Sequence, residues 1–148
     1  MKSFVFAFRG IARTIRNERN MRIHLCFALY VILAGAVTRI TVSEWTAVLI
    51  CIGMVTALEC INTSVENLCD TVSPEKSEGI RITKDAAAGA VLCAAVFSAV
   101  VGSIVFFNEK RIEAAVGFLR EHTALSILII LTLIPSGMFV KGRKRERI

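Results

Sequence analysis

Residues 86–107 read AAAGAVLCAAVFSAVVGSIVFF, twenty-two positions without a single charge. At 1.5 Å per residue such a run, if helical, extends about 33 Å, which matches the ~30 Å hydrocarbon core of a bilayer. A core helix of a small soluble domain has no need of that length without a polar face, so the run predicts a membrane span. The rest of the chain agrees. It is 148 residues long, 55% apolar and 20% charged, too apolar for an ordinary soluble domain and long enough for one domain only.

Three more apolar runs lie around this one. Residues 123–140 form a second run close to spanning length. Leu25 to Thr38 and Trp45 to Leu58 are shorter and must borrow polar flanking turns, the latter continuing as a mixed helical stretch to about Val72. The expected spans are therefore about 23–38, 45–72, 86–107 and 123–140, joined by short connections at 39–44, 73–85 and an outer loop at 108–122. Pro74 and Gly79 mark the break between the second and third spans. Pro135 is expected to bend the fourth rather than end it.

Residues 3–22 are of another kind. Phe4, Phe8, Ile11 and Ile15 fall on one helical face and arginines fill much of the remainder, the pattern of an amphipathic helix lying in the membrane surface. Arginines interrupt this segment throughout, so it does not read as a secretory signal and is expected to remain in the mature protein. Basic residues also set the orientation. Fourteen of the eighteen lysines and arginines lie in the N-terminal segment, the 73–85 loop and the 141–148 tail, against four (Arg39, Lys110, Arg111, Arg120) in the other connections. Four spans with both termini and the middle loop in the cytoplasm satisfy that count, whereas three would leave the basic tail outside.

The five cysteines sit in apolar segments without a C-x-x-C pair and read as packing residues. His24 and His122 read as interfacial residues rather than ligands, and Trp45 as an interface anchor. The row that invites chemistry is Glu59, Asn62, Glu66 and Asp70, whose spacing of three, four and four draws one stripe along the second span. Carboxylates at such depth are costly unless paired, hydrated or bound to a cation. Glu18 and the pair Lys84-Asp85 should meet the same cytoplasmic end. Hard carboxylate oxygens suit magnesium, a lysine neutralises phosphate charge, and a deeper carboxylate can take a hydroxyl proton. These are the parts of a phosphoryl-transfer centre. Read by spacing alone, the stripe also suits hydrogen-bonded helix packing in a non-catalytic assembly subunit, or a small cation channel or transporter. No G-x-x-x-x-G-K-[ST] is present, so a P-loop is not indicated.

The strings ALECINTSVE (57–66) with Asp70, KDAAAGA (84–90) and NERNMRIH (17–24) together resemble the prokaryotic diacylglycerol kinase family, the last of them its Gram-positive undecaprenol kinase branch. The resemblance covers about residues 3–107. It implies an all-α integral membrane protein in which a surface helix and three spans form a lipid kinase domain over 1–107, assembled as a homotrimer with shared sites. It further implies transfer of the ATP γ-phosphate to a membrane lipid alcohol with magnesium, at the cytoplasmic face of a bacterial plasma membrane, without a nucleic-acid partner. By the same resemblance Glu59 is the catalytic base, with Asn62 orienting the centre. Glu18 and Glu66 are metal ligands that also approach the ATP phosphates. Lys84 and Asp85, with Glu75, Lys76 and Ser77, contact the nucleotide. Undecaprenol is the expected acceptor and diacylglycerol the alternative. The fourth span and basic tail (108–148) are additional to the family's usual chain. Ala88 stands where some members carry a small polar residue, so no acceptor preference is read from it.

Overall fold

A computed structural model describes residues 2–72 and 77–142. These form seven helices and no strand: α1 (Lys2–Asn17), α2 (Arg19–Thr38), α3 (Val42–Val72), α4 (Glu78–Phe106), α5 (Glu109–Glu121), α6 (Thr123–Leu131) and α7 (Leu133–Lys141). α2, α3, α4 and the α6–α7 pair are long and apolar enough to cross a membrane. The described residues are thus all-helical, with four candidate membrane spans.

The amphipathic stretch expected as one helix over 3–22 is divided. Glu18 adopts an extended backbone (φ −101°, ψ 122°), which ends α1 at Asn17 and hands residues 19–22 to α2. The apolar face of α1 is uncovered by protein, with Phe4 73% and Phe8 70% exposed, as a helix resting on lipid requires. The break leaves the last carbonyls of α1 without helical partners. Arg22 reaches back to them, its Nη1 donating to Ile15 O at 3.2 Å and Arg16 O at 2.8 Å. Arg22 is thereby buried, as is its neighbour Met21.

α3 and α4 form the central antiparallel hairpin. At 31 residues α3 is about 46 Å long, well beyond the hydrocarbon thickness. Counted from Trp45, Glu59 lies about 21 Å along the axis and Glu66 about 32 Å. With Trp45 taken as one border, a ~30 Å hydrocarbon core sets the other near Glu66 and leaves Glu59 roughly 10 Å inside it. The small apolar core sits at the opposite end, where Ile40, Val48 and Val105 are buried with Trp45, Ile52 and Phe106 around them. Trp45 seats its ring against Gly35 of α2, where a Cβ would stand 2.9 Å from it. The α2–α3 turn passes through Arg39 in the left-handed region (φ 52°), a costly geometry for a non-glycine residue. Arg111 supports it from α5, donating to Thr38 O (2.5 Å) and Arg39 O (2.8 Å) and pairing with Glu44 at 2.7 Å.

Residues 108–122, expected as a loop, contain α5. Asn108 caps it, Oδ1 accepting from the Arg111 N–H at 3.1 Å. Glu109 opens its first turn, Arg120 stands in its last, and both charges favour the helix dipole. The fourth span then returns along α2. Arg22, Cys26 and Tyr30, four residues apart on one α2 stripe, meet Gly142, Ser136 and Thr132 in descending order. The register is therefore antiparallel, and α7 ends on the side where α2 begins. The span is interrupted at Thr132, three residues before Pro135. Proline has no N–H for the Leu131 carbonyl and its ring crowds that group. The helix resumes at Leu133, so the proline does not end the span.

Candidate active site

The long α3 carries most of the site. Glu59 is 2% exposed and Asn62 6%. Thr63 donates its hydroxyl to the Glu59 carbonyl at 2.9 Å, a bond within the helix that spends no group of the stripe. Asn62 Nδ2 donates to Glu66 Oε1 at 3.0 Å, one turn nearer the membrane border. That bond fixes the amide's direction and leaves Asn62 Oδ1 buried without a partner among the described residues. Glu66 itself is half-buried.

Glu18 arrives from a different element. The break between α1 and α2 sets it against α3, and its carboxylate and that of Glu66 are the two charges acting on Glu59. Three carboxylates from two chain segments therefore gather where α3 leaves the membrane. Among the described residues no three carboxylate, imidazole or thiolate groups converge tightly enough to hold a metal by themselves. This fits magnesium, which keeps water and takes one or two carboxylates plus substrate phosphates. The donor set is all oxygen, like charges need a cation among them, and the free Asn62 Oδ1 points to a further positive or proton-donating partner.

On the next turn outward, Asp70 forms an ion pair with Lys84 of α4. The hairpin register brings these two together, and the lysine is held at the site's rim. Asp85 is exposed and makes no ion pair or side-chain hydrogen bond among the described residues. Ser77 caps α4, its Oγ accepting from Ile80 N–H at 3.3 Å. Glu75, Lys76 and the expected break at Pro74 lie outside the described residues. Gly79 belongs to the first turn of α4. Of the cysteines expected to pack, Cys93 is exposed while the other four are half-buried. A groove of about 510 Å³ runs between α2, α3 and α4, walled by apolar side chains including Phe27, Val31, Val55 and Phe106. Thr56 on its wall stands one helical turn from Glu59, and His24 also lines it.

A prokaryotic diacylglycerol kinase family model matches residues 5–106, which span all of these groups. The chain belongs to that family. It is 38% identical over 108 residues to the undecaprenol kinase of Bacillus subtilis, covering 73% of this chain and 88% of that protein. It is 35% identical over 101 residues to the diacylglycerol kinase of Synechocystis, covering 68% of this chain and 58% of that one. No solved structure matches it. The protein is thus a multi-pass membrane lipid kinase that uses ATP. The family match stops at Phe106, so α5, α6 and α7 lie outside it.

Sequence reasoning missed one residue of this region. Arg22 entered only as a positive charge, whereas it caps α1 and fixes the corner that carries Glu18. Its only sequence signal is a basic residue six and seven positions after the carbonyls it takes, which no helical periodicity singles out.

Proposed function

We propose that this kinase phosphorylates undecaprenol to undecaprenyl phosphate, with magnesium and ATP, on the cytoplasmic side of a bacterial plasma membrane. The observation that carries the choice of acceptor is the similarity to the undecaprenol kinase of Bacillus subtilis, which extends over 88% of that protein. Diacylglycerol is the second reading, favoured by the likeness to the Synechocystis diacylglycerol kinase.

In this reading the acceptor's apolar chain occupies the groove between α2, α3 and α4, and its hydroxyl reaches Glu59 one turn beyond Thr56. Glu59 takes the hydroxyl proton. The acceptor oxygen bonds to the γ-phosphorus while the bond to the β–γ bridging oxygen breaks and ADP leaves. Magnesium, when bound, supplies positive charge to the phosphate oxygens, with Glu18 and Glu66 as its protein ligands. Asn62 holds Glu66 in its orientation. Lys84, steadied by Asp70, neutralises phosphate charge, and Asp85, Ser77, Glu75 and Lys76 are assigned to the nucleotide by the family resemblance. The buried position of Glu59 supports a role as base, because water competes poorly for the proton there. Assembly as a homotrimer with shared sites is part of the same reading.

The test is a side-by-side transfer of radiolabelled γ-phosphate to undecaprenol and to diacylglycerol in mixed micelles. A higher kcat/KM for undecaprenol supports the reading. A higher value for diacylglycerol moves the assignment to the alternative, and label on neither lipid from folded protein overturns both.

A further inference from the structure

We propose that the additional fourth span serves the active site through Arg22, a positioning residue whose guanidinium is seated against Gly142 and in turn fixes Glu18. The proposal rests on the reading of Glu18 and Glu66 as metal ligands and says what sets the first of them.

Glu66 is set by its own helix and by Asn62. Glu18 stands outside the helices, at the extended residue between α1 and α2. Arg22 braces that corner by taking the carbonyls of Ile15 and Arg16 on one side of Glu18. On the other side the Arg22 backbone N–H approaches Glu18 O at 3.4 Å. A cation at the C-terminal end of α1 also meets the favourable end of its dipole. Arg22 is 6% exposed, and its Nε has no hydrogen-bond partner among the described residues. The two Nη1 bonds fix one edge of the guanidinium, and packing holds the rest of the plane.

Gly142 supplies that packing. It terminates α7 at φ +42°, and a Cβ there would stand 2.6 Å from Arg22 Nη2 and 2.7 Å from Cζ. Only glycine lets the backbone lie this close. The approach is anchored further along by Tyr30, whose hydroxyl bonds Thr132 Oγ1 at 3.1 Å and Ser136 Oγ at 2.9 Å. The antiparallel register of α2 and α7 thus delivers the end of the fourth span to the one arginine that sets the metal-side corner. A Cβ added at Gly142 meets the far end of a flexible side chain rather than a backbone, so the guanidinium yields. The local strain of alanine at φ +42° is common to the single Gly142→Ala variant and the double variant below, which leaves the comparison between them to report on Arg22.

The experiment measures Mn²⁺ binding, by the loss of free-ion paramagnetic resonance signal, to the purified full-length chain with a non-hydrolysable ATP analogue. Gly142→Ala, Arg22→Lys and the double variant are compared with the unaltered protein. Each single substitution is expected to weaken Mn²⁺ binding about tenfold, the low end for residues that orient a ligand. The double variant should match Arg22→Lys, because without the guanidinium the added methyl has nothing to displace. Gly142→Ala binding within about twofold of the unaltered protein overturns the proposal, and so do additive effects. If the unaltered protein binds no Mn²⁺, the metal-ligand reading fails first and takes this proposal with it. That outcome differs from the other two in the control alone.

Discussion

Replacing Asn62 with alanine removes the bond from its Nδ2 to Glu66 Oε1, the one hydrogen bond its side chain makes among the described residues. A hydrogen bond to a carboxylate contributes about 1.5–3 kcal/mol. At about 1.36 kcal/mol per factor of ten, the loss is roughly 10- to 100-fold in kcat/KM for magnesium-ATP. The same range holds for residues that orient a metal ligand. Stability should change little, because the substitution also removes Asn62 Oδ1, a buried acceptor with no partner among the described residues. Asn62→Asp is expected to be worse than Asn62→Ala, since it sets an acceptor and a negative charge against Glu66 in place of the donor. The assay is radiolabelled phosphate transfer with magnesium-ATP varied at saturating lipid, then lipid varied at saturating magnesium-ATP. A thermal unfolding curve in the same detergent serves as control. The reasoning fails if Asn62→Ala raises the lipid KM while the magnesium-ATP terms stay unchanged, or if Asn62→Asp outperforms it.

Glu59→Gln keeps the shape of the base and removes its proton affinity, so kcat should fall by roughly 10²- to 10⁴-fold with magnesium-ATP binding intact. Retained turnover in the rapid-quench assay would dismiss Glu59 as the base. Asp70→Asn frees Lys84 from an exposed ion pair of about 0.2–1 kcal/mol. The ATP KM should rise only a few-fold, and Lys84→Met should cost clearly more. Equal effects of the two substitutions would mean that Asp70 acts directly on the nucleotide. Tyr30→Phe removes two interhelical hydrogen bonds, each contributing about 0.6 kcal/mol within a membrane bundle. It should lower the unfolding midpoint and leave the magnesium-ATP KM as it was, whereas an unmoved midpoint would show these bonds to be idle.

The spans were legible because hydrocarbon imposes one requirement, length without charge, that any window of sequence displays. Residues 86–107 and 123–140 meet it by themselves. The stripe of Glu59, Asn62 and Glu66 was legible for a related reason, since spacing on a helix fixes which side chains share a face. What stayed hidden depends on the angle between elements. The division at Glu18 follows from an arginine folding back on the preceding helix, and Arg22 looks in sequence like five other basic residues of the N-terminal segment. The pairing of Asp70 with Lys84 depends on the register of the α3–α4 hairpin, which no local pattern prints. α5 was a different failure. Asn108 followed by Glu109, with Ile112, Val116 and Leu119 on one face, is a helix start and an apolar stripe. Its charge content made it read as a loop between two spans.

The segment beyond the family match touches the family core mainly along α2, with Arg111 also reaching Glu44 at the start of α3, and that placement has a consequence. Arg111 holds the far end of α2 through the carbonyls of Thr38 and Arg39, Thr132 and Ser136 hold its middle through Tyr30, and Gly142 lies against Arg22 near its start. α2 bears none of the α3 stripe, so bracing it does nothing directly for Glu59 or Glu66, which α3 positions alone. It bears on Glu18, the one proposed ligand that comes from outside α3 and stands at a break rather than within a helix. In a chain ending after α4 that corner would lack the contact that Gly142 makes with Arg22. Here the hold is continuous from one membrane face to the other. Variation within α5–α7 should therefore register both in metal and nucleotide affinity, through the Glu18 corner that lies beside Arg22, and in lipid handling, through the groove wall that α2 shares with α3 and α4.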